Sequence, residues 1–354
     1  MSAPPTRTAH LPNGVKLAYI DSYATISEAD RPREYTTVIG LHGVGFNSAV
    51  WTPVLPHLPT SLRFLAYNQR SYTGSSPAFE SQEEGGIDAT AAYLADLMEF
   101  VKFAVDELGV ETVEEGGIVL LGWSKGNVLS ISLLSLLHLA SIPSATSFAS
   151  FLPNDGTLPH TSLLTTHLRS ILLYEPAGSA LGRPPTEDFM KAMAAVLPPN
   201  KVSSEEFATA FAGWIGDYCP PTSTSPEPVA SLPPSGLAAL SGDLLSSAWE
   251  TSAVAHGFSW KLSASPAEVQ QLANTALSPP LSPAVPIGLI YGGRSVGYCM
   301  DAAEEIMRWW SGGDGGKVRK TAVRKMEGTN HFGFLHEPEE FVKTVQETIQ
   351  ALSE

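Results

Sequence analysis

Gly122-Trp123-Ser124-Lys125-Gly126 constrains this chain more than any other segment. The apolar run Ile118-Val119-Leu120-Leu121 precedes it, and residues 128–140, apolar enough for a buried helix, follow it. A serine between a buried strand and a helix sits on a sharp turn. The strained backbone there needs small neighbours, and the glycines two before and two after supply them. The hydroxyl then stands clear of the sheet at a helix N-terminus, where unpaired N–H groups and the helix dipole favour developing negative charge. Ser124 is therefore read as a catalytic nucleophile. A glycine-flanked serine in an ordinary turn is the alternative in a chain with 30 glycines; the strand pattern before it and the helix pattern after it argue against that.

The rest of the chain alternates in the same way. Residues 10–20 read as a hairpin about Asn13-Gly14. Short buried strands are expected over 36–41, 62–67, 118–121, 170–174, 285–291 and 318–323. Asp88 is a candidate cap for a helix carrying Leu94, Leu97, Val101, Ala104 and Leu108. Further helices are expected over 301–310 and at the end, where Phe341, Val345 and Ile349 recur at steps of four. Strands alternating with helices imply an α/β fold, a mostly parallel central sheet flanked by helices on both faces. Residues 179–284 break the rhythm with many prolines, short helical stretches and three tryptophans. The expected organisation is a core of 1–178 and 284–354, interrupted by an inserted, largely helical cap over 179–283.

Composition narrows the function classes. A formal net charge of −15 argues against nucleic-acid binding and against docking on anionic lipid. Two cysteines exclude a disulfide framework, show no metal-ligand spacing, and fit free thiols in a reducing compartment. The first residues lack the apolar stretch of a signal peptide, and no apolar run approaches the length of a membrane span. A cytoplasmic protein acting on a small molecule is expected, with its oligomeric state left open.

A serine hydroxyl needs a base, usually a histidine oriented by a carboxylate. Of nine histidines, His331 and His336 fall in the loop after the last expected strand. His331, in Gly328-Thr329-Asn330-His331-Phe332-Gly333, is the candidate base, and His336 the reserve. In many proteins of this plan the acid is an aspartate shortly after the penultimate strand. Here that place reads Tyr291-Gly292-Gly293-Arg294-Ser295-Val296-Gly297, without a carboxylate. Glu175 instead ends a buried central strand, where an unpaired carboxylate is costly and where ligands gather in open α/β sheets. Glu175 is the candidate acid. Asp301, also a candidate helix cap, is the fallback, and a structural ion pair of Glu175 with Arg183 or Arg294 is the non-catalytic alternative. The oxyanion donors are expected to be the backbone N–H groups of Lys125 and Val44, with Gly45 next, and His42 is read as a buried hydrogen-bonding residue. Trp214, Tyr218, Trp249 and Trp260 are candidate walls of an apolar or aromatic pocket, with packing inside the cap as the alternative for each. Trp123 and Phe332 are expected beside the site because they adjoin Ser124 and His331.

These motifs resemble the α/β-hydrolase family. His42-Gly43-Val44-Gly45, with Trp51 downstream, is similar to its oxyanion turn. Residues 68–76, Asn-Gln-Arg-Ser-Tyr-Thr-Gly-Ser-Ser, are similar to its D-x-R-G-x-G-x-S loop. Asn68 replaces the aspartate, Ser71 replaces the glycine, and one residue is added near Thr73. The fungal zearalenone lactonases resemble the chain more closely, since their acid is a glutamate after the strand that precedes the cap, matched by Tyr174-Glu175-Pro176. Their histidine loop is similar to residues 331–338. This cap is much longer than theirs, so their substrate is not carried over. Haloalkane dehalogenases and epoxide hydrolases use an aspartate where Ser124 stands.

The resemblance and the residues together imply a serine hydrolase cleaving a carboxylic ester, lactone or thioester through an acyl-enzyme, with no metal or organic cofactor. A lyase or acyltransferase using the same triad, or a small-molecule receptor with little turnover, is the alternative.

Overall fold

In the computed structural model, residues 4–78, 87–140, 160–184, 187, 191, 206, 211, 242–254, 266–277, 285–311 and 319–354 are described. Eight strands form one sheet: β1 Arg7–His10, β2 Lys16–Asp21, β3 Thr36–Leu41, β4 Leu62–Tyr67, β5 Ile118–Trp123, β6 Leu168–Tyr174, β7 Ile287–Gly292 and β8 Thr321–Met326. Their spatial order is β1-β2-β4-β3-β5-β6-β7-β8. The β1–β2 hairpin is antiparallel and β2 pairs antiparallel with β4. All other pairs are parallel.

A sheet covered on both faces has no use for polar alternation, and β4 and β5 are buried at every position. Successive residues then feed opposite cores. Ile39, Leu120, Ile171 and Leu289 pack into one cluster. Val38, Leu121, Leu172 and Ile290 pack into the other. The helix Gly126–Ala140 after β5 is apolar almost all round because it too is enclosed, with Leu129, Leu133 and Leu136 fully buried. The helix Pro266–Leu277, inside the span read as a cap, packs on it through Leu272, Ala273 and Ala276. The second cluster is aromatic at its centre. Trp51 lies 4.7 Å from Phe334, Trp123 4.9 Å from Phe334, and Tyr174 4.9 Å from Phe341, ring to ring.

Some expected boundaries shift. β8 begins at Thr321 rather than Val318. Among the described residues it is an edge strand paired only with β7, and its Arg324 and Lys325 are not buried, so apolarity marks it poorly. The helix after β7 starts at Gly297, so Asp301 lies inside it, exposed, and does not cap it. Asp88 likewise lies within the helix Ile87–Asp106.

Candidate active site

β5 and β6 run in register up to the pair Trp123 and Tyr174. One residue later, Ser124 and Glu175 both turn through the left-handed region, with φ of 53° and 51°. Each such non-glycine residue costs on the order of 1–3 kcal/mol and persists only where its surroundings hold it. At Ser124 the surroundings are explicit. Its N–H donates to the Tyr174 carbonyl at 3.1 Å. Asn127, fully buried in the first turn of the helix, donates through Nδ2 to the carbonyls of Ser124 and Tyr174, each at 2.9 Å. The flanking glycines are required by contact as well. A Cβ at Gly122 would meet the Asn127 N at 2.9 Å, and one at Gly126 the Leu41 carbonyl at 2.5 Å.

Glu175 has no solvent exposure. A carboxylate there needs donors to replace its hydration. Oε1 accepts from the Gly292 N–H at 2.5 Å. Oε2 accepts from the Ser295 hydroxyl and from His331 Nδ1, the latter at 3.0 Å. Arg183, the alternative ion-pair partner, pairs with Glu305 instead. Two of the three donors come from the end of β7 and the turn that follows it, where many proteins of this plan carry their acid.

His331 lies in the loop after β8 and is 5 % exposed. Asn330 shapes that loop by accepting the Phe332 N–H at 2.8 Å. The His331 carbonyl accepts from Trp123 Nε1 at 3.1 Å, and the two rings are 5.5 Å apart. The histidine is thus tied to the residue preceding Ser124 and to Glu175 at once. The reserve, His336, ends the short helix Gly333–His336, and burial lowers its pKa.

The turn after β3 lies against this corner: a Cβ on Gly43 would approach the Ser124 Cβ and the Trp123 ring to 3.2 Å. Gly45 does not qualify as an oxyanion donor, because its N–H donates to the Tyr72 hydroxyl at 3.0 Å. The Val44 N–H has no hydrogen-bond partner among the described residues.

A model of the alpha/beta hydrolase family matches residues 38–344. The chain belongs to the alpha/beta hydrolase family. Solved structures agree on the fold. An esterase from Exiguobacterium antarcticum superposes with TM-score 0.57 at 13% identity, covering 98% of this chain and 100% of that one. A haloalkane dehalogenase from Agrobacterium tumefaciens C58 gives 0.54 at 13%, covering 99% and 98%. A bromoperoxidase from Bacillus anthracis gives 0.53 at 12%, covering 98% and 100%. No curated protein sequence matches the chain significantly.

In this alpha/beta hydrolase His42 is fully buried, with Nδ1 3.0 Å from the Gly43 carbonyl and Nε2 accepting the Gln69 N–H at 3.1 Å. That pairing fixes the neutral ring with its proton on Nδ1. Desolvation pushes its pKa down to about 3, with a further push from the Lys125 charge. Lys125 itself is buried, its ammonium 5.8 Å from the centre of the Tyr93 ring.

The expected pocket residues divide. Trp123 and Phe332 are 1 % and 0 % exposed, closed off by aromatic packing, so they support the site and do not line open space. Trp249 is half-buried, edge-on to Phe46 at 4.9 Å and stacked with Phe211 at 6.2 Å. Trp214, Tyr218 and Trp260 lie outside the described residues.

Glu175, Cys299 and His331 bring three potential metal-ligand atoms within 4.8 Å of one another. Cys299 is buried, with Sγ 3.6 Å from His331 Nδ1. The Glu175 oxygens already accept from three protein donors, which fits a closed hydrogen-bonded cluster better than a cation site. Among the described residues, no helix is long and apolar enough to cross a membrane. Sequence reasoning missed Asn127, Ser295 and Tyr72. The only advance signal was the carboxylate missing after β7, which implied that this turn does something else.

Proposed function

We propose that this protein is a serine hydrolase that cleaves a carboxylic ester, lactone or thioester. Ser124 Oγ attacks the carbonyl while His331, through Nε2, takes its proton. The N–H groups of Lys125 and Val44 stabilise the oxyanion. His331 then protonates the leaving group, and water activated by the same base releases the acid from the acyl-enzyme. Glu175 holds the proton on His331 Nδ1 and stabilises the imidazolium. The chemistry calls for no metal or organic cofactor.

The observation that carries this reading is the 3.0 Å contact of His331 Nδ1 with a fully buried Glu175. A buried carboxylate aimed at one ring nitrogen leaves the other as a base of fixed tautomer. Family membership supports the hydrolase class. The half-buried Trp249, beside the oxyanion turn, supports an apolar or aromatic group on the substrate. The inserted segment over 179–283 acts as the cap that selects it.

A fluorophosphonate probe combined with p-nitrophenyl ester turnover tests the proposal. Labelling at Ser124, with label and turnover both lost in Ser124→Ala, is the expected result. Folded protein that takes no label would point to a receptor. Label without ester turnover would point to a lyase or acyltransferase. A screen of esters, lactones and acyl-thioesters would then define the substrate.

A further inference from the structure

The segment after the helix Gly242–Ala248 lies across the oxyanion turn. Phe46 and Trp249 form an antiparallel bridge. The Asn47 N–H donates to the Ala248 carbonyl and the Glu250 N–H to the Gly45 carbonyl, both at 2.8 Å. Asn47 Nδ2 donates to the Ser247 carbonyl at 2.8 Å and to Glu250 Oε1 at 2.6 Å. Gly45, with φ 79°, is therefore gripped at both ends: its N–H by Tyr72 and its C=O by Glu250. Trp249 closes over it so tightly that a Cβ on Gly45 would stand 2.5 Å from the indole.

The Glu250 carboxylate also reaches the loop that departs from the family pattern. The Thr73 N–H lies 2.9 Å from Oε1 and 2.7 Å from Oε2. Thr73 is where that loop carries its extra residue. Asn68, standing where the family has an aspartate, donates through Nδ2 to the Thr73 carbonyl at 2.8 Å. Its Oδ1 accepts the Ser48 N–H at 2.8 Å. An amide side chain makes both bonds; a carboxylate has no donor for the first. Ser71, in the family's glycine position, keeps the left-handed turn with φ 74°. Within 68–76, the Thr73 N–H thus receives one carboxylate from the inserted segment, and Asn68 holds Thr73 from the other side.

We propose that Glu250 is a positioning residue that docks the inserted segment on the oxyanion turn and so aims the Val44 N–H at the reacting carbonyl. It touches no reacting atom. Its carboxylate acts by holding Asn47 on one side and Thr73 on the other, while its main-chain N–H holds Gly45, so oxyanion stabilisation depends on the cap being seated. This rests on the reading of Ser124 as an acyl-transfer nucleophile.

Glu250→Ala and Glu250→Gln in the full chain test it, with p-nitrophenyl ester kinetics, a phenylboronic acid as transition-state mimic, and fluorophosphonate labelling. Loss of an oxyanion donor costs about a hundredfold or more in kcat, so a donor merely misaligned in Glu250→Ala should cost roughly tenfold or more. KM should change less than about threefold, and boronate affinity should fall in parallel with kcat. Glu250→Gln keeps one acceptor oxygen and should fall between wild type and Glu250→Ala. It also serves if the alanine variant does not fold. Ser124 should still label to completion in both. Variants matching wild type within about twofold in kcat and boronate affinity would overturn the proposal, whatever happens to Tm. Wild-type protein that does not label at Ser124 would overturn the acyl-transfer reading instead, and this inference with it.

Discussion

Ser124 and Glu175 leave adjacent parallel strands one residue beyond a matched register pair, and both do so with left-handed backbone. The Tyr174 carbonyl between them accepts from the Ser124 N–H and from Asn127. The two turns are therefore one strained unit at the C-terminal edge of the sheet. The proposed nucleophile and acid are spaced by strand pairing, and only the histidine comes from a distant loop.

If Glu175 orients His331, Glu175→Ala should lower ester turnover by about a hundredfold or more, because the wrong tautomer then prevails. Asp301→Ala, on an exposed helix surface, should leave turnover nearly unchanged. A crippled Asp301→Ala beside a nearly silent Glu175→Ala would reverse the assignment.

Ser295 donates to the same carboxylate oxygen that faces His331. Hydrogen bonds to charged groups contribute about 1.5–3 kcal/mol, so Ser295→Ala should cut turnover roughly tenfold or more. Ser295→Thr, which keeps the hydroxyl, should restore most of it. Steady-state kinetics on the two variants decides, and equal activity in both would remove Ser295 from the acid's support.

Asn127 ties together the carbonyls of both strained turns. Its replacement by alanine withdraws a buried donor from two acceptors, and Asn127→Ala should lose about 1–3 kcal/mol of stability. Urea unfolding measures this directly. A shift in midpoint too small to resolve would mean that the strand pairing alone holds the strain.

His42 stays neutral in the fold because its pKa is pushed down to about 3, from an ordinary value of 6.5. Between those values the unfolded chain binds a proton that the native protein refuses. Stability contributed by the neutral ring is therefore complete above pH 6.5 and is lost as pH falls. From pH 7.5 to 5 the loss should be about 2 kcal/mol from this group. His42→Gln should flatten that part of the stability–pH curve in thermal melts at stepped pH, and an unchanged slope would count against the buried neutral imidazole.

The amino-acid order alone pointed to the sharp strand-to-helix turn at Ser124. A buried apolar strand, a serine between close glycines and an apolar helix favour this sharp turn, in which a Cβ at Gly122 or Gly126 would clash. β3 and β4 were legible to the residue for a similar reason, since an enclosed strand is mostly apolar; the exceptions are Thr36 and Thr37 at the start of β3 and Arg63 in β4, which pairs with Asp21. At the sheet edge the same rule fails, and β8 was displaced by three residues.

Tertiary structure decided which partners each group meets. Glu175 stood out in the sequence as a carboxylate in an expensive place. That its oxygens are filled by Gly292, Ser295 and His331 follows from strands brought together across more than a hundred residues. Gly45 stood second to Val44 as a candidate donor, and Tyr72, from another loop, takes its N–H. Glu250 carried no local signal at all. Periodicity and backbone sterics act between neighbours along the chain and can be read from it. Hydrogen-bond pairing in a buried site is a competition among groups distant in sequence, and only the packed molecule settles it.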